Sequence, residues 1–212
     1  MKKLSFALSV LAAGAMFAET TPVMVSLVTP VQAPDRQCDV EGFRLSLIYG
    51  ECGKFTGLEI GIVDNTRDDF AGLSIGGANL VGERMLGGQV GLVNWTAGAA
   101  DTWERRSIGA QVGILNYAKS FCGLQDGVVN ISEDYFAGLE TGLLNCANDL
   151  HGVQCGYYFL VALNIASGNV RGCQIGLVNY ADTMEGGVQI GLVNIISNNG
   201  WMPVFPIVNG SF

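Results

Sequence analysis

The phrase GCQIGLVN at Gly172 returns as GVQIGLVN at Gly187, 15 residues later. With drift it occurs nine times, its first glycine at Gly57, Gly72, Gly87, Gly109, Gly123, Gly138, Gly152, Gly172 and Gly187. A second glycine follows four residues on in every copy, and six of the eight spacings are 14 or 15 residues. The other two, after Gly87 and Gly152, are 22 and 20 residues. A weaker copy, GFRLSLIYG, precedes these at Gly42. Fixed-period self-similarity constrains a fold more than any other sequence feature, and a unit this short cannot hold two packed helices. The chain is therefore expected to be all-β.

Counting from the first glycine as position zero, positions plus one, three and five are apolar, as in Leu58, Ile60 and Ile62 or Val188, Ile190 and Leu192. Position plus two is polar: Glu59, Ser74, Gln89, Gln111, Gln125, Glu140, Gln154, Gln174 and Gln189. Such alternation reads as a half-buried strand, with the Leu, Ile and Val set expected to form the core. Asn stands at plus seven in most copies (Asn79, Asn94, Asn116, Asn130, Asn145, Asn179, Asn194) and suits a strand-ending turn. Another apolar column lies at minus two: Phe55, Phe70, Met85, Phe121, Phe136, Leu150 and Val170. The glycines share a face with the Gln column, which is expected to be flat, either to let the coil bend or to dock a partner.

A residue that recurs at one place in every unit meets the same surroundings every time. Parallel stacking provides this, since each residue then lies about 4.8 Å from its equivalent. The expected architecture is a parallel β-solenoid of about ten 15-residue coils over residues 42–200. An antiparallel β-meander or an outer-membrane β-barrel is the alternative, favoured by strand length and the terminal Phe212. Residues 19–41 read as a lead-in whose VMVSLV stretch is able to pair on the first coil, and residues 201–212 as an aromatic, Pro-bearing cap. The long linkers 95–108 and 157–171 are expected to project from the stack.

Residues 1–18 carry Lys2 and Lys3, an apolar stretch and small residues up to Ala18, the pattern of a secretory signal peptide. Its removal takes the formal net charge from −8 to −10, which disfavours nucleic acid and anionic lipid as partners. An exported chain permits disulfides. Cys38 and Cys52, one coil apart, are one candidate pair, and Cys155 with Cys173 on adjacent coils another, with buried free thiols as the competing reading. The acidic pairs Asp68-Asp69 and Glu133-Asp134 match no calcium-binding loop and read as solvated charge. Trp103, Arg105 and Arg106 form the one aromatic and basic cluster, a candidate binding loop in an acidic chain. The single His151 lies outside any nucleophile motif, and no metal, phosphate or dinucleotide fingerprint occurs. The reading is a non-enzymatic scaffold or surface-binding module without a cofactor, exported to the periplasm, cell surface or outer membrane. Its expected partner is a surface or a protein, with membrane association open.

The phrases GGQVGLVN, GCQIGLVN and GVQIGLVN, with FRLSLIYGECGKFTGLEIGIVDN before them and MPVFPIVNGSF after, resemble a family of exported bacterial surface-repeat proteins. The resemblance covers residues 35–212; the copies GLSIGGAN and GVQCGYYF depart from the phrase. It implies an exported location and no particular chemistry.

Overall fold

The computed structural model describes residues 20–98, 106–156 and 162–211. The strands are β1 (Thr20–Val28), β2 (Val31–Ala33), β3 (Asp39–Cys52), β4 (Phe55–Thr66), β5 (Phe70–Val81) and β6 (Met85–Thr96). They continue as β7 (Ser107–Gly142), β8 (Leu144–Gly156), β9 (Leu163–Ile175), β10 (Val178–Asn198) and β11 (Val204–Ser211). From β3 to β10 they stack in chain order, each parallel to the next. This is the β-solenoid that the repeat predicts; among the described residues β3 to β10 form neither an antiparallel meander nor a closed barrel.

The register is that of the repeat. Gly57 lies on Gly72, Gly72 on Gly87 and Gly87 on Gly109, while Asn79 lies on Asn94 and Asn94 on Asn116. The lead-in adds β1 to the stack in parallel, with Val23 beside Phe43 and Val25 beside Leu45. The tail closes the other end: β11 runs antiparallel along β10, from Gly187 opposite Ser211 to Ile195 opposite Val204.

The second long linker is placed differently from the expectation. Leu163, Asn164 and Ile165 stack on Leu144, Asn145 and Cys146, and Arg171 and Gly172 on His151 and Gly152. Residues 163–171 are thus an ordinary side of a coil, and Asn164 belongs to the Asn column. Residues 157–161 of that linker lie outside the described residues.

The larger correction concerns which residues are inside. The columns at plus one, three and five, expected as core, face outward. Ile75, between Ile60 and Val90, is 40 % exposed, while Ile62 at 57 % and Leu92 at 60 % stand on either side of Gly77. The interior holds the Gln column at plus two and the Asn column at plus seven, all 0 % exposed. With them lie Phe55, Phe70, Met85, Phe121, Phe136, Leu150 and Val170 at minus two, and Met184 at minus three, which a bulge before Gly186 brings into register with Val170. Phe55 stacks on Phe70 at 5.6 Å between ring centroids, and Phe121 on Phe136 at 6.3 Å. Among the described residues, buried polar side chains outnumber buried hydrophobic ones.

Candidate functional site

Burying an amide in a protein interior costs free energy unless it is hydrogen-bonded. Here each coil supplies the partner for the next. Asn79 donates from Nδ2 to Oδ1 of Asn94 at 2.8 Å, and the chain continues through Asn116, Asn130, Asn145, Asn164 and Asn179 to Asn194. The second proton of most of these amides goes to a backbone carbonyl of the adjacent coil, such as Val90, Val112 or Ile190. The Gln ladder runs the opposite way. Gln111 donates to Gln89 at 2.8 Å, Gln125 to Gln111 at 2.7 Å, Gln174 to Gln154 at 2.8 Å and Gln189 to Gln174 at 2.8 Å. Two oppositely directed, mutually polarising chains of amides thus hold the coils together.

The glycines serve these ladders. Gly109 has φ +147°, and a Cβ there would lie 1.7 Å from the Gly87 carbonyl oxygen of the coil beneath. The glycine at plus four points inward: a Cβ on Gly91 would lie 2.7 Å from Nδ2 of Asn79. Neither glycine column presents a docking face.

Charge enters the interior at two places. Near the N-terminal end, Arg44 stands in the Gln column beside Glu59, 2.5 Å away, and its Nε is 3.5 Å from Oδ1 of Asp64, which occupies the Asn column. One guanidinium faces two buried carboxylates. Burial pushes both upward, Glu59 to about 7, although Arg44 pulls against it. Farther along, Glu140 replaces a Gln. Burial pushes its carboxyl up to about 8, against the hydrogen bonds with Gln154 and Ser132. These groups are enclosed by neighbouring coils and are parts of the core.

The candidate site is therefore the outer face. Its charge-free portion runs from β1 to the first coil of β7: Val23, Val25, Phe43, Leu58, Ile60, Ile62, Leu73, Ile75, Val90, Leu92, Val112 and Ile114. At the next coil Asp126 enters the plus-three column and accepts a hydrogen bond from the hydroxyl of Thr141, which follows it in that column. Trp95, 39 % exposed, flanks the face and stacks on Tyr117 at 3.8 Å.

The other sequence candidates are scattered. Trp103 and Arg105 lie outside the described residues. Arg106 lies over the Tyr135 ring at 3.6 Å and is a packing element between coils. His151 meets the same ring edge-on at 5.1 Å. Glu133 accepts the Tyr117 hydroxyl, and Asp69 accepts the Arg84 backbone N–H at 3.3 Å. Neither expected disulfide is formed, and Cys38, Cys52, Cys155 and Cys173 are thiols. Cys52 turns inward, its Sγ 2.9 Å from Nη1 of Arg44. Cys155 is in register with Ile175 and Cys173 with Val153, a diagonal rather than a facing pair. Among the described residues no group of three or more His, Cys, Asp or Glu is placed to hold a metal ion.

The outward direction of the Leu, Ile and Val columns is what the sequence reading missed. Parity carried the signal. The Phe and Met column at minus two and the Gln column at plus two are separated by an even number of residues, so in an extended strand they share a face. Comparison with protein-family models, curated proteins and solved structures returned no match.

Proposed function

We propose that the chain is an exported, non-enzymatic repeat protein, a scaffold or surface-binding module whose working surface is the apolar outer face. One observation carries this reading. The polar columns are spent inside on ladders, and the Ile, Leu and Val columns that would ordinarily fill a core are displayed outside. A contiguous apolar surface of this extent marks an interaction site. The amide ladders already tie coil to coil from within, and the outward Ile, Leu and Val side chains of this face still leave 36 % or more of their surface in water.

A test compares retention on a hydrophobic-interaction column for the chain and for Ile60→Thr/Ile75→Thr/Val90→Thr. The triple variant elutes early while keeping its β circular-dichroism spectrum; unchanged retention sinks the reading. Export is tested by fractionating bacterial cells that express the full chain, and accumulation in the cytoplasm counts against it.

Outer-membrane insertion is the second reading, favoured by the same inversion, since membrane barrels are also apolar outside and polar inside. Against it, the interior here is filled by side chains from stacked parallel coils. Expression without residues 1–18 separates the two. Folded protein in detergent-free buffer supports the module, and a chain that folds only in detergent supports insertion.

A further inference from the structure

We infer that the apolar outer face between β1 and the first coil of β7 is a self-association surface, on which a second copy of this chain packs face to face. The inference rests on the reading of that face as the working surface and adds what covers it. Three observations point to a second copy. The first is size. Positions plus one to plus five span about 16 Å along each strand, and six strands at about 4.8 Å give about 29 Å, a footprint of about 460 Å² per copy. Relief of the side chains adds to this, so two copies bury about 1,000 Å² in total, the lower bound for a biological interface and the size of a weak, reversible one.

The second is shape. Successive coils place their outward residues in register, so the surface is a lattice of ridges and hollows, with gaps at Gly77 and Gly88 where a column lacks its side chain. A copy turned by a two-fold axis presents the same lattice, and two such sheet faces pack about 10 Å apart with interdigitating side chains. The third is charge. The face holds no charged side chain until Asp126, which ends it. A bilayer surface is the poorer occupant, because a chain with net charge −8 lacks the basic fringe that holds proteins to anionic lipid. Asp68, Asp69 and Glu83 lie in the turns between strands beside this face, so pairing brings negatively charged rims together.

The test is sedimentation of the full chain at about 50 µM, a concentration suited to an interface of this small size, in low and high salt. Ile75→Arg/Val90→Arg places charge at the centre of the patch. Leu192→Arg is the control, an outward residue, 60 % exposed, beyond Asp126. The expected result is a dimer that tightens with salt. The central pair of arginines weakens it on the order of 100-fold, and Leu192→Arg leaves it intact. Ile75 and Val90 are register partners, so the two arginines also repel within the monomer, and thermal unfolding is measured alongside to fix a temperature at which every variant is folded. Ile75→Ser/Val90→Ser, which adds no charge, should weaken the dimer in the same direction. A monomeric chain, or a dimer indifferent to both central variants, overturns the inference. Flotation of monomeric chain with phosphatidylcholine vesicles, abolished by the arginine pair, also overturns it but leaves the working-surface reading standing. If neither association nor flotation responds to the central variants, both fail.

Discussion

The glycine at position zero does two things that no other residue does. Its φ lies between +129° and +149° at all ten positions from Gly42 to Gly187, a region that L side chains avoid. Its missing Cβ also lets one coil settle on the carbonyl of the coil beneath. Gly109→Ala meets both penalties, left-handed strain and a backbone clash, and is expected to destabilise the chain by about 2–5 kcal/mol. Gly186, one residue before a column glycine, has nothing within 4 Å of a built Cβ. Gly186→Ala should therefore be neutral or slightly stabilising, through the lower entropy of the unfolded chain. Chemical denaturation of the two variants checks the pair. Equal losses would mean that the column is kept for some reason other than stacking.

At the scale of the strand, the ladders explain why the fold was legible and its sidedness was not. Period-two alternation says that two sets of side chains point opposite ways, and the 15-residue period says that like stacks on like. Neither says which set is inside. Ordinary transfer energies choose Ile60, Ile75 and Val90, because an isolated Gln is costly to bury. That cost disappears only when Gln125 has Gln111 beneath it, a partner that exists in the stack and not in the single strand. Glu140 tests this account. Ser132 Oγ lies 3.0 Å from both Gln125 Oε1 and Glu140 Oε1, and one hydroxyl proton cannot serve both acceptors. A protonated Glu140 donating to Ser132, which then donates to Gln125, completes the ladder. The carboxyl is raised from 4.5 to about 8 in the fold, so between those values the folded chain holds a proton that the unfolded chain has lost. Stability is fully present below about pH 4.5 and falls as pH rises through 8, by at most about 1.4 kcal/mol per unit from this group. Glu140→Gln supplies a permanent donor to Gln125. Its advantage over the parent chain should grow with pH and level off above about 8, raising the melting temperature there by about 2–8 °C. Glu59 contributes to the slope of both chains and cancels in the difference. A difference that stays flat with pH would show that Glu140 is ionised in the ladder.

For the whole molecule the consequence is modularity. Each coil touches only the coils above and below it, so stability is a sum of units and interfaces. The ends are exceptions, because an open stack exposes unpaired backbone edges. Strand β1 with the β2 hairpin covers one end, and the antiparallel β11 covers the other. A coil in the middle is therefore dispensable where an end is not. Deleting residues 172–186 joins Arg171 to Gly187 and removes one member from each column. In the shortened chain Gln189 meets Gln154 and Asn194 meets Asn164, so both ladders close again with their donors pointing as before. The β11 cap, which is in register with Gly187 to Ile195, keeps its seat. The expected product is a cooperatively folded protein with the parental β circular-dichroism spectrum and a denaturant slope lower by roughly one coil's share. Deleting residues 201–211 removes a shorter segment but bares the edge of β10, and should lead to aggregation. If the coil deletion unfolds the chain while the loss of the tail is tolerated, stability does not reside in interchangeable stacked units.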